Sequence, residues 1–258
     1  MQANTLGVVA TLLAHVAKDE GRSLQIVLTA QHPLLSYLIL LINILTLTFH
    51  TIIYLLRGVG VEYVLDSSVK VGKGVTIEPF AVVKGNSVLA DGCVVGSFSY
   101  IENATIGAGT VVKASRICNS TVGANCTVGP NAHLRDNAVV CDNCRVGNFV
   151  EIKNSTLHEG VKASHLAYVG DATVGKHTNI GCGVIFVNYD GKTKHKTQVG
   201  DDCFIGCNSN LVAPVTIGDK CFVACGTTVD KDVPSGAFAI GRSYLTVKEG
   251  RAGKYIKK

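Results

Sequence analysis

A period of six residues is the feature that most constrains this chain. Apolar residues recur at every sixth position without a slip through the middle of the sequence, at Val122, Val128, Leu134, Val140, Val146 and Ile152. This period fits neither an α-helix nor a simple alternating strand. It is typical of a solenoid of short parallel strands, because each repeat can bury its apolar residue only against neighbouring coils. The sequence therefore predicts a β fold, a parallel β-helix.

The repeats define the expected organisation of the chain. They recur on both sides of the central run, with one-residue slips that turns can absorb. We assign residues 59–242 to the β-helix, residues 1–58 to an N-terminal segment and residues 243–258 to a basic tail. If three six-residue sides make one coil, positions three repeats apart lie above one another, at the spacing of about 4.8 Å that stacked strands have.

Composition excludes several classes of protein. With 47% hydrophobic and 17% charged residues among 258, the chain is not mainly disordered. The net charge of +5 is mild and concentrated near the C-terminus, which favours a small anionic ligand over nucleic acid. Many of the ten cysteines lie at or beside repeat positions, and no cleavable signal peptide is evident. We therefore expect reduced thiols and a cytoplasmic protein.

Residues 33–56 form a long uncharged stretch, for which we expect a hydrophobic helix. Such a stretch is long enough to span a bilayer. One interpretation is a buried or self-associating linker helix. The other is membrane attachment, which Asn43 and His50 disfavour because polar side chains are costly in lipid.

Two cations are predicted to stack at one corner of the coil. Arg135 and Lys153 each follow a repeat position, and they lie three repeats apart. Like charges this close are unfavourable unless an anion bridges them, and phosphate is the obvious candidate. The alternative is that both side chains point into solvent. Glu151 is placed to pair with Lys153 or to orient a nearby imidazole.

Cysteines form two further ladders, Cys203 with Cys221 and Cys207 with Cys225. Zinc binding is one interpretation. We favour the other, in which a coil interior or a ligand-lined groove needs small residues. Residues 187–196 are polar and cannot lie in a flat face of the coil, so we expect a loop there. Loops on a rigid scaffold commonly carry functional sites.

Six motifs carry a resemblance to a known family: Val146-Gly-Asn-Phe-Val-Glu-Ile-Lys153, Lys162-Ala-Ser-His165-Leu-Ala-Tyr168-Val-Gly-Asp171, Asn179-Ile-Gly-Cys-Gly183, Asn188-Tyr-Asp-Gly191, Lys194-His-Lys-Thr197 and Leu211-Val-Ala-Pro-Val215. They closely resemble the acetyltransferase half of the bifunctional N-acetylglucosamine-1-phosphate uridyltransferase/glucosamine-1-phosphate acetyltransferase, over about residues 58–242. The resemblance implies a left-handed parallel β-helix. It also implies a homotrimer with acetyl-CoA sites between subunits.

The resemblance also implies roles for individual residues. His165 is then the general base, which takes a proton from the amino group of glucosamine 1-phosphate as the nitrogen attacks the acetyl thioester. The sugar-phosphate ligands implied are Arg135, Lys153, Tyr168, Asn179 and Lys194. The acetyl-CoA ligands implied are Cys182, Asn188, Tyr189, Cys207, Cys225 and Arg242. The product, N-acetylglucosamine 1-phosphate, serves UDP-N-acetylglucosamine and cell-wall precursor synthesis, and no metal is expected.

The sequence departs from this family in its first part. It contains no Gly-rich nucleotide loop, so we expect uridyltransferase activity to be absent and residues 1–58 to be a remnant of that domain and its linker. Three alternatives to the acetyltransferase remain. They are a hexapeptide acyltransferase with another amine acceptor, a γ-class carbonic anhydrase, for which the histidines lack a compelling ligand spacing, and a non-catalytic trimeric scaffold.

Overall fold

The computed structural model describes residues 62–252. The chain divides into two compact units, Met1–Ser67 and Ser68–Lys258. Of the first unit only residues 62–67 are described, and they contain the short strand β1 (Val64–Leu65). The hydrophobic helix predicted for residues 33–56 lies outside the described residues. Within residues 62–252, no helix has the length and apolar character that crossing a bilayer requires.

The second unit is built from three parallel sheets. Sheet A contains β4 (Val82–Lys84), β7 (Tyr100–Glu102), β10 (Arg116–Cys118), β13 (His133–Arg135), β16 (Glu151–Lys153), β19 (Tyr168–Gly170), β22 (Ile185–Val187), β25 (Asn210–Val212) and β28 (Thr228–Val229). Sheet B contains β2 (Lys70–Val71), β5 (Val88–Leu89), β8 (Thr105–Ile106), β11 (Thr121–Val122), β14 (Val139–Val140), β17 (Thr156–Leu157), β20 (Ala172–Val174), β23 (Thr197–Val199) and β26 (Val215–Ile217). Sheet C contains β3 (Thr76–Ile77), β6 (Val94–Val95), β9 (Val111–Val112), β12 (Thr127–Val128), β15 (Arg145–Asn148), β18 (Lys162–His165), β21 (Asn179–Ile180), β24 (Phe204–Ile205), β27 (Phe222–Val223) and β29 (Phe238–Ala239).

The interior is filled by apolar residues, and most strands contribute one of them. All six residues of the central run are completely buried, with 0% of their surface exposed. They stack on their counterparts in the neighbouring coils, as Leu134 does on Ile152 and Val128 on Val146. The parallel β-helix predicted from the six-residue period is confirmed.

The coils are less regular than the uniform repeat predicted. Leu134 pairs with Ile152, a full three repeats further along the chain, but Ile152 pairs with Val169, one residue short of that interval. Ile101 pairs with Ile117, two residues short of it. The difference is absorbed at the corners, where a single residue in the left-handed conformation, such as Asn119 with φ of 47°, can turn the chain.

One coil is much longer than the others. Val174 pairs with Val199, which lies seven residues beyond the position that three repeats would reach. The extra length lies between β22 and β23, at residues 188–196. The loop expected from the polar sequence is therefore confirmed.

The buried cysteines have a structural role at the corner between sheets B and C. The Sγ atoms of four of them donate to a backbone carbonyl of the next coil: Cys126 to Cys141 at 3.0 Å, Cys144 to His158 at 3.1 Å, Cys203 to Gly218 at 3.0 Å and Cys221 to Pro234 at 3.1 Å. Thr178 holds an equivalent position, and its hydroxyl donates to Gly200 at 2.8 Å. A small side chain with one donor satisfies this corner, which agrees with the coil-interior interpretation of the ladder that contains Cys203 and not with the zinc interpretation.

Candidate functional site

Arg135 and Lys153 end neighbouring strands of sheet A and are paired in register. The guanidinium of Arg135 contacts Glu151 at 2.7 Å and Asp136 at 2.6 Å. The ammonium of Lys153 lies 3.2 and 3.1 Å from the two carboxylate oxygens of Asp171. The predicted stacking is confirmed, but the argument that an external anion must bridge the two cations is wrong, because each has its own carboxylate. Glu151 pairs with Arg135 rather than with Lys153.

Lys194 completes a group of three cations. The Lys194 amine, and after it the hydrogen bonds and charge of Asp171, raise the pKa of the Lys153 ammonium despite its burial. The Lys153 amine in turn lowers the pKa of Lys194. Lys153 thus keeps its proton to higher pH, and Lys194 loses its proton at lower pH than an isolated lysine would. Among the ion pairs of the described residues, none joins the Lys194 ammonium to a carboxylate.

Lys194 is held by a short hairpin that the long coil extrudes. Tyr189 and Lys194 form an antiparallel bridge across it. The carboxylate of Asp190 accepts hydrogen bonds from the amides of Lys192 and Thr193, both at 2.7 Å, and lies 2.7 Å from Nε2 of His195. The Thr193 amide, followed by the His195 side chain, holds the pKa of the Asp190 carboxyl below its usual value. The hairpin therefore gives Lys194 a defined position.

Tyr168 belongs to the same face, whereas Asn179 does not. Tyr168 pairs with Glu151 in sheet A, and the Asn188 amide donates to its hydroxyl at 3.3 Å. Asn179 lies on sheet C, in register with Lys162. Within one chain, the structure thus brings together four of the five predicted sugar-phosphate ligands and places the fifth on a different face.

His165 lies on the edge between sheets C and A. It ends β18, pairs with Asn148 and is exposed to solvent. Backbone hydrogen bonds link this edge from coil to coil: Gly183 donates to Leu166 at 3.0 Å, Asn208 to Cys182 at 2.8 Å and Gly226 to Cys207 at 2.7 Å. The strand registers place His165, Cys182, Cys207 and Cys225 at equivalent positions in four successive coils.

Tight stacking at this edge requires glycine before Cys182 and Cys207. A Cβ on Gly181 would lie 2.6 Å from the backbone nitrogen of Cys207, and one on Gly206 would lie 2.5 Å from that of Cys225. Any larger residue would push the coils apart. The edge consequently presents small side chains and backbone groups to solvent.

A cavity of about 490 Å³ lies at the end of this edge that the last coils of the chain form. Its lining includes three of the predicted acetyl-CoA ligands, Cys207, Cys225 and Arg242. The guanidinium of Arg242 donates to the carbonyl oxygen of Cys225 at 2.7 Å and lies 4.0 Å from its Sγ. Asn188 and Tyr189 lie elsewhere, where the long coil leaves sheet A. The sequence analysis missed Asn208 and Ser243, which also line the cavity and have no distinctive motif.

Metal binding has no candidate cluster in the described part of the chain. Among residues 62–252, no group of three or more His, Cys, Asp or Glu side chains is arranged to hold a metal ion. The exposed Cys207 and Cys225 share their cavity with Arg242, a cation. The metal-free site stays a prediction.

Comparisons with known proteins agree with this architecture. Residues 68–103, 119–154 and 196–231 match the family model described as bacterial transferase hexapeptide (six repeats). The crystal structure of an Arabidopsis UDP-N-acetylglucosamine acyltransferase superposes with a TM-score of 0.58 at 17% identity, covering 67% of each chain. At that identity the match shows the fold alone. Fold and repeats together define the class, a β-helix built from hexapeptide repeats.

Curated relatives make the assignment more specific. The chain is 48% identical over 186 residues to bifunctional protein GlmU of Alkaliphilus metalliredigens, covering 72% of this chain and 41% of the relative. It is 51% identical over 195 residues to bifunctional protein GlmU of Enterococcus faecalis, covering 75% of this chain and 43% of the relative. The chain thus spans about two fifths of the length of the curated relatives it matches. The resemblance to the acetyltransferase half of this bifunctional protein is confirmed.

Proposed function

We propose that the β-helix is a glucosamine-1-phosphate N-acetyltransferase with acetyl-CoA as its co-substrate. Similarity to bifunctional protein GlmU supports this activity. The observation that carries the proposal is the position of His165, an exposed imidazole on the same edge as Cys182, Cys207 and Cys225. The product would serve UDP-N-acetylglucosamine and cell-wall precursor synthesis.

The cations of sheet A bind the sugar phosphate in this proposal. Arg135, Lys153 and Lys194 converge there, and no ion pair of the described residues occupies the Lys194 ammonium. A phosphate also accepts charge-assisted hydrogen bonds from a guanidinium. The Tyr168 hydroxyl supplies a neutral partner for the sugar.

His165 acts as the general base. Acetyl-CoA supplies the acetyl group as a thioester. The acceptor amine forms a bond to the acetyl carbon, and the amine proton passes to the imidazole of His165. The carbon–sulfur bond breaks, and coenzyme A leaves as a thiolate that takes up a proton to become the free thiol. Histidine is the side chain that most often serves as a general base in enzymes.

The edge between sheets C and A holds the coenzyme. His165 and Cys225 are three coils apart, which corresponds to about 14 Å at the spacing of stacked strands. An extended coenzyme arm lies along this distance, with Arg242 beside its phosphates. Cysteine is small enough to leave the backbone amides and carbonyls of this edge accessible.

The active assembly is a homotrimer in this proposal, as the resemblance implies. Asn179 faces away from the sugar-phosphate ligands of its own chain, and Asn188 and Tyr189 lie away from the cavity of Arg242. A neighbouring protomer is needed to bring these groups to one site. Light scattering coupled to gel filtration measures the predicted mass of three chains.

The decisive experiment is thiol release from acetyl-CoA in the presence of glucosamine 1-phosphate. His165→Ala lowers the rate on the order of 10²–10⁴-fold, the contribution expected of a general base. His158→Ala is the matched control, because it follows β17 of sheet B, away from the cations, and contributes its backbone carbonyl as acceptor for Cys144 at 3.1 Å. Equal turnover by wild type and His165→Ala removes His165 from this role. Turnover with other amines alone identifies a different acyltransferase, and turnover with none identifies a non-catalytic scaffold.

A further inference from the structure

A ladder of left-handed turn residues runs along the corner between sheets A and B. It takes one residue from each of six coils, and every φ lies between 45° and 61°. The strand registers place its members in the order Gly85, Asn103, Asn119, Asp136, Asn154 and Asp171. Glycine, asparagine and aspartate all tolerate this conformation. The turn therefore does not decide between asparagine and aspartate, and the choice depends on what surrounds each position.

The two carboxylates occur where the cations are. Asp136 directly follows Arg135 and pairs with it at 2.6 Å. Asp171 lies one coil above Asn154 and pairs with Lys153. Each of the two carboxylates thus pairs with a cation that the proposed function assigns to phosphate binding.

Asp171 differs from Asp136 in its burial and in the number of its partners. The side chain of Asp171 is only 7% exposed, whereas that of Asp136 is 51% exposed. The Asp171 carboxylate accepts hydrogen bonds from Lys153, from the side-chain amide of Asn154 at 2.6 Å and from the side-chain amide of Asn188. Burying a carboxylate is costly unless it is paired and hydrogen-bonded. An uncharged asparagine would keep the turn without that cost.

The partners of Asp171 come from two parts of the proposed site. Lys153 is a sugar-phosphate ligand, itself only 7% exposed. Asn188 begins the segment that leaves the coil and carries Lys194. We propose that Asp171 is a positioning residue, which holds the Lys153 ammonium and the Asn188 amide in one geometry and so couples the phosphate-binding cations to the hairpin. This inference rests on the proposed function.

The electrostatics agree with this role. Burial alone would raise the pKa of the Asp171 carboxyl, but hydrogen bonds from Asn154, Lys153 and Asn188 outweigh it and lower the pKa. Four charged groups surround Lys153. They are Glu151 on the same strand, Arg135 on β13, Asp171 at the turn and Lys194 on the hairpin. The phenol of Tyr168, on β19, is the other titratable neighbour. Asp171 is the carboxylate that contacts Lys153. Removal of the Asp171 charge leaves the positive charges of Lys153 and Lys194 without their neighbouring carboxylate. The pair of amines therefore loses a proton at lower pH.

The test is Asp171→Asn, which keeps the left-handed turn and removes the charge. We expect a folded protein whose KM for glucosamine 1-phosphate rises about tenfold at neutral pH, equivalent to roughly one pKa unit of lost interaction. We also expect the alkaline rise in KM to begin at lower pH than in wild type. In a Lys153→Met background the same substitution has little further effect, because residues that act through one another are not additive. Additive effects, or an unchanged pH profile, would show that the role is merely structural.

A second measurement needs no turnover. Acylation of Lys153 and Lys194 by acetic anhydride, followed by peptide mass spectrometry, reports how readily the two amines lose a proton. We expect several-fold faster labelling of this pair in Asp171→Asn than in wild type. Asn103→Asp is the control, because it exchanges an amide and an acid at the equivalent turn position of a coil away from the cations, and it should label as wild type does. If wild type releases no thiol, the proposed function fails while the labelling still decides the role of Asp171. Equal labelling in all three proteins overturns the inference.

Discussion

At the scale of the residue, spacing predicted positions but not partners. The six-residue period placed Arg135 above Lys153, and the structure agrees. It could not predict that Glu151 and Asp171 neutralise them, because a hydrogen bond depends on side-chain rotamers and on turns that shorten some coils. Asp171 was visible in the sequence only as the end of a motif. The regular spacing of Asn and Asp residues at the A–B corner of successive coils would have identified Asp171 as a turn residue.

The exposed thiols provide a prediction at this scale. Cys207 and Cys225 are exposed, so N-ethylmaleimide should modify them in the native protein, while the buried Cys203 and Cys221 should not react. Acetyl-CoA at ten times its Kd should slow modification of the exposed pair about tenfold, because occupied sites are protected by mass action. Peptide mass spectrometry measures each site. Cys141, half-exposed elsewhere, is the internal control, and equal rates at Cys207 and Cys225 with and without acetyl-CoA contradict the proposed coenzyme edge.

At the scale of the element, the hairpin of residues 188–196 shows what polarity can and cannot predict. A run of polar residues within a hexad array indicated that the chain must leave the coil. Its conformation follows from Asp190, whose carboxylate collects donors from Lys192, Thr193 and His195. Such local closure depends on the path of the backbone, which spacing does not specify.

Asp190 should therefore control the hairpin and not the coil. In Asp190→Ala we expect faster hydrogen exchange of the Lys192 and Thr193 amides and a roughly tenfold higher KM for glucosamine 1-phosphate, because Lys194 is no longer held. The Tm should stay close to that of wild type. Asp230→Ala, an exposed carboxylate outside the hairpin, is the control. Unchanged amide exchange contradicts the capping role.

The same carboxylate predicts a pH dependence. The pKa of Asp190 is lowered in the folded hairpin, so its stabilising effect is present above the ordinary value of about 4. The effect is lost as the pH falls through the folded-state pKa. Amide protection in the hairpin should decline in acid before the protection of sheet A does. Simultaneous loss of both would mean that Asp190 does not act locally.

At the scale of the whole molecule, stability is distributed along the coils. Each coil buries its apolar residues against the coils on either side, so the loss of one such residue weakens two interfaces. Leu134 is completely buried between Ile117 and Ile152. The cysteine and threonine donors at the B–C corner link the same coils by hydrogen bonds.

Leu134→Ala should lower the free energy of unfolding by about 2–5 kcal/mol, the range for buried leucine truncations. Val139→Ala, on the outer face of sheet B, should cost under about 1 kcal/mol. Urea unfolding followed by circular dichroism measures both. Similar losses for the two variants would contradict the assignment of inside and outside to this repeat.

The sequence alone determined that the chain coils, which residues face inward and that the chain leaves the coil near residue 188. A fixed interval between apolar residues can be read from the local sequence. With an interval of six, these residues are buried together when the chain forms a parallel β-helix. The corners and the polar contacts needed the tertiary structure. The length of each coil varies around three repeats and decides which side chains meet. Only the folded backbone brings Asp171 to Lys153 and Arg242 to Cys225, because those contacts join residues from different coils.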